Sequence, residues 1–255
     1  MKNDIEKAAL GRRFHGCVHS ANNAKAKAGE TIEMKVIARI HNDFPSKFGI
    51  PRQSGVVGEL KGRIVFEPEY RNPDALRGIE GFDYLWLIWQ FSEAVRDKWS
   101  PTVRPPILGG NTRMGVFATR SPFRPNAIGL SSVRLEGVEL HTSEGPVLHI
   151  SGADLMDGTP IFDIKPYLAY ADSHPEAAQG FRGEGWKRNL QVEFPEPLLL
   201  KVPADKRDSL LGVLASDPRP TYHDDPERVY GMPFGHQEIK FRVAGKQLIV
   251  LDVIG

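Results

Sequence analysis

The sequence predicts a mainly β protein, in which a compact β-barrel domain is followed by a small C-terminal α+β domain. Six short strand candidates follow one another between residues 31 and 154, separated by Gly, Pro and Asn turns and with few helices between them. This order is typical of an antiparallel or mixed barrel. No G-x-G-x-x-G motif follows a strand, so a Rossmann sheet is not expected. A change to polar, Gly-rich composition after Tyr170 marks the start of a linker.

The strands are recognised by their hydrophobic period. The segment TIEMKVIARI, residues 31–40, alternates apolar with mostly polar side chains, which is the pattern of a strand with one buried face. The run from Phe82 to Phe91 is apolar on both faces and carries Trp86 and Trp89, so we expect a central strand buried on both sides. The other strand candidates are GRIVFE (62–67), RMGVFAT (113–119), GLSSVRLEGVEL (129–140) and PVLHISGAD (146–154).

The composition predicts three parts of the chain. Residues 1–28 are rich in Ala, Lys and Asn and are expected to form a flexible extension. The barrel is predicted over 29–172, and the small α+β domain over 188–255. This second domain is expected to contain a strand at LQVEFP, a helix around DKRDSLLGVLASDP and a hairpin from Glu238 to Val253. Because it is small, we expect it to lean on the barrel or on a partner chain.

Several classes of protein are excluded by what the sequence lacks. A chain of 255 residues with 40% apolar and 25% charged residues is typical of a folded protein. No apolar run is long enough to span a membrane and the polar start resembles no secretory signal, so a cytoplasmic location is expected. The single Cys17 excludes an internal disulfide, and its neighbours His15 and His19 are too weak a signal to predict a metal site. Motifs of P-loop NTPases and common hydrolases are absent.

Positive charge is concentrated in the middle of the chain. Between Lys98 and Leu135 there are five arginines and no Asp or Glu, although the net charge of the whole chain is only +1. The core of this stretch, RMGVFATRSPFRPNAIGL, is braced by Pro122 and Pro125. A local excess of this kind indicates an anionic partner. The alternative is an ordinary solvated loop whose arginines pair with carboxylates elsewhere.

Four segments have the residue types of binding loops. FGIPRQSG combines an arginine and a glutamine with glycines that let a ligand approach the backbone. TRSPFRPNAIGL holds arginines in a rigid chain, and DLMDGTPIFDIKPYL brings three aspartates around an Asp-Gly turn. Ser92 and Glu93, just after the most apolar strand, form the fourth. Each segment taken alone is more often structural than functional, since Asp-Gly, for example, is a common turn former.

Taken together and in order, the motifs resemble one family. GIPRQSG, ALRGIEGFDYLWLIWQF, WSPTVRPPILGGNTRMGVFATRSPFRPNAIGLSSVRLEGV, DLMDGTPIFDIKPYLAYADS and SDPRPTY are similar to TsaA-like, or TrmO-type, tRNA methyltransferases, over about three-quarters of the chain. The resemblance implies methylation, with S-adenosylmethionine, of N6 of threonylcarbamoyladenosine at position 37 of threonine tRNA. It also implies a barrel methyltransferase domain, a small C-terminal domain and a homodimer.

The resemblance also implies site residues. For the cofactor these are Pro51, Arg52, Gln53, Ser92, Glu93, Arg120, Leu130, Asp154, Leu155, Met156 and Asp157. We expect Arg120 to pair with the methionine carboxylate, Leu130 to cover the adenine, and a carboxylate at Asp154 or Asp157 to accept ribose hydroxyls. The family pattern has His or Asp where this chain has Ser92. No metal is implied.

Methyl transfer to a urea-like nitrogen is helped by a base that removes its proton. The candidates are Asp157, Asp163 and Tyr167. Arg104, Arg113, Arg124, Lys187 and Arg188 are expected to contact RNA phosphates, and Phe123 or Tyr167 to stack on an unpaired base. SDPRPTY is expected to help place the anticodon loop. Two alternatives stay open: a non-catalytic OB-like RNA-binding barrel, and a methyltransferase of this fold acting on another RNA or a small molecule.

Overall fold

Six antiparallel strands close into a barrel in the computed structural model of the protein, in the spatial order β1-β2-β7-β6-β3-β8. The structure describes residues 31–96, 98–182, 189–220 and 225–255. The strands of this part of the chain are β1 (Ala38–His41), β2 (Lys61–Phe66), β3 (Tyr84–Gln90), β4 (Thr102–Val103), β5 (Met114–Gly115), β6 (Ile128–Thr142), β7 (Gly145–Ser151) and β8 (Pro160–Pro166), followed by helix α1 (Ala169–Asp172). The predicted barrel is confirmed.

The interior of the barrel is filled by alternate side chains of its strands. On β3 the side chains of Leu85, Leu87 and Trp89 are buried in this core. Trp86 and Ile88, on the other face, are only partly buried. The expectation that this strand is buried on both faces is therefore wrong, because the residues of its outer face are exposed or only partly buried. On that face Trp86 packs beside Tyr167, at 5.5 Å between ring centroids.

Two strand predictions were wrong in instructive ways. The first strand begins at Ala38, and residues 31–37 contain no strand. RMGVFAT supplies only the two residues of β5, which pair with β4 outside the barrel, and then forms a 3₁₀ turn, Val116–Ala118. The sixth barrel strand is instead β8, which was predicted as loop. Its proline at the first position is compatible with a strand, since that residue need donate no ladder hydrogen bond.

The C-terminal part is a four-stranded sheet packed with two helices. Its strands lie in the order β10-β11-β12-β9, and the elements are β9 (Gln191–Glu193), α2 (Glu196–Leu199), α3 (Arg207–Ala215), β10 (Tyr230–Phe234), β11 (Gln237–Ala244) and β12 (Gln247–Ile254). The predicted strand, helix and hairpin are confirmed; β10 and α2 were not predicted. Within the described residues, no helix has the length and apolar character needed to cross a membrane.

The C-terminal sheet shares its core with the segment that connects β1 to β2. Phe44, Val57 and Leu60 are buried among the apolar side chains of α3, β10, β11 and β12. The Ser209 hydroxyl donates a hydrogen bond of 2.6 Å to the Glu59 carbonyl, and residues 35–255 form one unit. The expected leaning of the second domain on the barrel is confirmed. Since the PRQ segment lies between Phe44 and Val57, this contact also positions a predicted binding loop.

Candidate functional site

Three of the predicted binding loops meet at one cavity. It has a volume of about 510 Å³ and opens near the start of β6. Its lining residues are Gln53, Phe91, Phe117, Arg120, Arg124, Pro125, Asn126, Ile128, Gly129, Leu130 and Asp154. The PRQ loop, the arginine-rich loop and the first turn of the aspartate-rich segment therefore contribute to one site, as expected for a pocket built from barrel loops.

The PRQ loop is fixed against the barrel wall by backbone contacts. The Gly55 amide donates to the Gly152 carbonyl at 2.8 Å, and the Ser132 amide donates to the Ser54 hydroxyl at 3.2 Å. A Cβ atom at Gly152 would lie 3.5 Å from the backbone of Gly55, so the two segments are in van der Waals contact. Gln53 is thereby held at the cavity, where its side-chain amide oxygen Oε1 accepts a hydrogen bond of 2.5 Å from the Arg120 guanidinium.

Asp154 is the carboxylate of the site. Among the described residues it is the single acidic side chain that lines the cavity. Its Oδ1 accepts a hydrogen bond of 2.5 Å from the Ser131 hydroxyl, which in turn accepts one of 3.0 Å from the indole N–H of Trp89. Burial raises the pKa of Asp154 above its usual value, although the Ser131 hydrogen bond and the Arg120 charge lower it. Asp154 therefore takes up a proton more readily than an exposed aspartate.

The hydrogen bonds through which Trp89 and Ser131 support the Asp154 carboxylate were not predicted from the sequence. Both side chains are buried, on neighbouring strands β3 and β6. The signal available in the sequence was the period of β6, which places Gly129 and Ser131 on the same face as Val133. A hydroxyl on an apolar face needs a hydrogen-bond partner, which here is a carboxylate at the cavity.

Other predicted cofactor residues lie around the cavity but not on its surface. Arg52 lines an adjoining groove, and its guanidinium donates to the Arg219 carbonyl at 3.1 Å. Ser92 and Glu93 form a 3₁₀ turn directly after Phe91, with Glu93 paired to Lys47 at 2.9 Å. The remaining residues outside the lining are Pro51, Leu155, Met156 and Asp157.

The three predicted base candidates lie outside both the cavity and the groove. Asp157 Oδ1 accepts a hydrogen bond of 3.0 Å from the Asn42 amide. Asp163 forms an ion pair with Lys165 at 2.8 Å. Tyr167 packs on the outer face of β3, next to Trp86. The structure does not bring these groups to the site, since none of them is among the lining residues.

A wider groove of about 1160 Å³ runs beside the cavity and shares residues with it. Its described lining includes five arginines and no Asp or Glu: Arg52, Arg96, Arg104, Arg113 and Arg120. Two predicted RNA contacts, Arg104 and Arg113, are in the groove, and Arg124 is in the cavity. Lys187 and Arg188 fall outside the described residues.

Hydrogen bonds to uncharged groups hold two of the arginines predicted to contact RNA. Within the described ranges, no ion pair joins Arg104, Arg113 or Arg124 to a carboxylate. Arg113 donates instead to the Thr102 hydroxyl at 3.1 Å, and Arg124 to the Thr119 carbonyl at 3.2 Å. This arrangement disfavours the alternative of a solvated, carboxylate-paired loop and produces a positive potential beside the cavity. Groups of His, Cys, Asp or Glu able to hold a metal are absent from the described part of the chain.

Family models match almost the whole described region. The tRNA-methyltransferase O N-terminal domain matches residues 39–173, and the TrmO C-terminal domain matches residues 187–255. This chain belongs to the tRNA-methyltransferase O family. The resemblance predicted from the motifs is confirmed.

Individual relatives agree with the family models. The chain is 39% identical over 234 residues to the tRNA (adenine(37)-N6)-methyltransferase of Escherichia coli K12, covering 87% of this chain and 98% of that protein. It is 38% identical over 236 residues to a Pseudomonas aeruginosa protein provisionally named an S-adenosylmethionine-dependent methyltransferase, covering 88% and 99%. The crystal structure of TrmO from Pseudomonas aeruginosa matches with a TM-score of 0.69 and 32% identity, covering 89% of this chain and all of that chain (100%).

Proposed function

We propose that this protein transfers a methyl group from S-adenosylmethionine to N6 of adenine 37 in a tRNA. The observation that carries the proposal is the junction of two sites. A cavity with one arginine-bound glutamine and one partly buried carboxylate opens beside an acid-free groove lined by five arginines. Family membership supports the same reaction, since relatives matched over nearly their full length bear this activity in their names.

The donor set of the cavity fits the cofactor. S-adenosylmethionine carries a carboxylate, ribose hydroxyls, an aromatic adenine and a sulfonium that supplies the methyl group. Arg120 and Gln53 both line the cavity, where Arg120 would bind the carboxylate and Gln53 would offer amide groups to the adenine edge. Leu130, half-exposed at the rim, offers an apolar face for the adenine ring. The remaining cofactor assignments would require contacts made by loops at the edge of the cavity; these assignments are Pro51, Arg52, the Ser92–Glu93 pair and residues 155–157.

Two roles are proposed for Asp154, because it is the carboxylate that faces the cavity. The sequence motifs assign it to the ribose hydroxyls. Its raised pKa and the partly buried hydrogen bond that it accepts from Ser131 favour a second role, as acceptor of the proton that the substrate nitrogen loses. The three candidates named from sequence, Asp157, Asp163 and Tyr167, lie outside the cavity and are the weaker choices on geometry.

The variant Asp154→Asn separates these roles. Loss of a hydroxyl contact raises KM for S-adenosylmethionine and leaves the shape of the pH profile of kcat unchanged. Loss of the proton acceptor lowers kcat and removes the acidic limb of that profile, with little change in cofactor affinity. A variant with wild-type KM, kcat and pH profile would exclude both roles.

We infer further that the natural acceptor is threonylcarbamoyladenosine in threonine tRNA, that the protein acts in the cytoplasm and that it works as a homodimer. The acceptor and the homodimer rest on the motif resemblance described above, and the cytoplasmic location rests on the sequence features given with it. The arginine groove supports an RNA acceptor over a small molecule, because a small acceptor would not need a charged surface of this length.

Calorimetric titration with S-adenosylmethionine tests the proposed cavity. We expect saturable binding to the wild-type protein and loss of most affinity in Arg120→Leu. Arg134→Leu is the matched control, since Arg134 lies on β6 and outside the cavity and groove. Absence of binding to the wild type would favour the alternative of a non-catalytic OB-like RNA-binding barrel.

A further inference from the structure

An exposed phenylalanine lies where the cavity meets the groove. Phe117 is among the lining residues of both, and 71% of its surface is exposed. A single exposed aromatic side chain is common on protein surfaces, so the position of this ring between the cavity and the groove is the informative feature, and not its exposure alone. Its position next to the cavity makes a ligand that enters from the groove the natural contact.

The backbone that carries Phe117 is rigid. It is the middle residue of the 3₁₀ turn, in which the preceding Val116 is buried. The Val116 amide donates to the Pro101 carbonyl at 2.9 Å, and the Thr119 amide donates back to Val116 at 3.1 Å. The ring is therefore presented from a fixed turn, so that little conformational entropy is lost when a partner binds.

A second exposed aromatic lies beside it. Trp99 is 53% exposed, and its ring centroid is 6.1 Å from that of Phe117 with an angle of 32° between the planes. Rings at this separation and tilt form one broad apolar surface. Phe117 lines the groove together with Arg104 and Arg113, and Trp99 packs beside Phe117 without being part of that lining.

The residues expected from sequence to stack on a base are less suitable. The guanidinium of Arg96 lies 3.8 Å from the centroid of the Phe123 ring and covers one of its faces. Tyr167 is in contact with Tyr84 and Trp86 on the outside of the barrel and lines neither the cavity nor the groove.

We propose that the aromatic pair Trp99–Phe117 stacks on an unpaired base of the RNA substrate and guides the anticodon loop toward the cavity. The inference rests on the proposed function and names the RNA contact within it. Aromatic rings flanked by arginines match single-stranded RNA, whose bases stack while its phosphates pair with the cations. A second copy of this chain docking the same surface would bring its own arginines against these, which opposes that alternative.

The test is tRNA binding by Phe117→Leu, which keeps apolar volume but removes the ring. Stacking of one base on an aromatic ring corresponds to roughly a 5- to 150-fold change in affinity. We expect Phe117→Leu to weaken tRNA binding within that range, Trp99→Leu to weaken it less, and Phe117→Tyr to bind as the wild type does. Tyr170→Leu is the matched control. Tyr170 is 88% exposed on α1 and lines neither the cavity nor the groove, so removing its ring should leave the affinity for tRNA unchanged.

A spectroscopic readout isolates stacking from other effects. With 2-aminopurine placed in the anticodon loop, stacking should quench its fluorescence on binding to the wild type but not to Phe117→Leu. The inference would be overturned if Phe117→Leu kept both the tRNA affinity and the fluorescence quenching of the wild type. It would also be overturned if this variant lost only its affinity for S-adenosylmethionine, or only its self-association. If the wild-type protein itself fails to bind tRNA, the proposed function fails, and this result is distinguishable from failure of the stacking alone.

Discussion

Replacing Gly129 by alanine should disturb both the stability of the barrel and the cavity. Gly129 on β6 is the direct partner of Trp89 on β3. An added Cβ would lie 2.3, 2.4 and 2.6 Å from three atoms of the indole, whereas carbon atoms in good contact are about 3.5–4.0 Å apart. The ring must therefore move by about 1 Å or more.

Trp89 cannot move without loss. Its exposed fraction is 6%, its ring is 4.3 Å from that of Phe91, and its N–H donates to Ser131. Overpacking of this kind costs about 1–3 kcal/mol, and losing a buried hydrogen bond costs about 1 kcal/mol more. We expect Gly129→Ala to lower the free energy of unfolding by roughly 2–4 kcal/mol. Since Ser131 also holds Asp154, cofactor affinity should fall as well.

Urea unfolding and calorimetric titration with S-adenosylmethionine measure the two effects. The matched control is Gly137→Ala on the same strand, where an added Cβ would meet no atom within 4 Å. This control should unfold at the wild-type urea concentration or slightly above it, because alanine restricts the unfolded chain. Equal midpoints for the two variants would refute the packing argument.

Three further predictions concern charge. Because burial raises the pKa of Asp154, the wild-type protein should lose stability as the pH rises from the unfolded pKa of 3.8 through the raised folded pKa, and Asp154→Asn should lack this loss. Urea unfolding at several pH values checks this prediction, and parallel curves of stability against pH for the two proteins would contradict it. Arg104→Gln should weaken tRNA binding and reduce the slope of log affinity against log salt by about 1, whereas Arg63→Gln, paired with Glu144 on the barrel, should leave that slope unchanged. Asp157→Asn should keep most single-turnover methyl transfer, since Asp157 lies outside the cavity; a loss of turnover at unchanged cofactor affinity would restore it as the base.

The fold was predictable where the hydrophobic period was clean. The strands β2 and β6 were found within a few residues because inward apolar side chains alternate with more polar ones, and β3 and β7 because they are short apolar runs bounded by turn residues. The strand β8 was missed because it begins with a proline shortly after an Asp-Gly turn and because its C-terminal half carries the charged residues Asp163 and Lys165. RMGVFAT was assigned as a strand because its period fits one, although it pairs with a two-residue strand outside the barrel.

The site was predictable in its motifs and not in its cross-strand contacts. Gln53, Arg120, Leu130 and Asp154 followed from ordered segments of sequence, and the structure brings these four to one cavity. The support of Asp154 by Ser131 depends on the register between separate strands, which local patterns do not specify. Asp157 is close to Asp154 in sequence, yet the turn between them directs it toward β1 instead of the cavity.

Labelled methyl transfer from S-adenosylmethionine to tRNA tests the central claim most directly. The acceptors are threonine tRNA carrying threonylcarbamoyladenosine at position 37, the same tRNA without that modification, and a threonine tRNA in which another base replaces adenine 37. The account predicts transfer to N6 of the modified nucleotide, none to the other two, and loss of the signal in Arg120→Leu. Cofactor binding without transfer to any of these tRNAs would contradict it and point to a different acceptor.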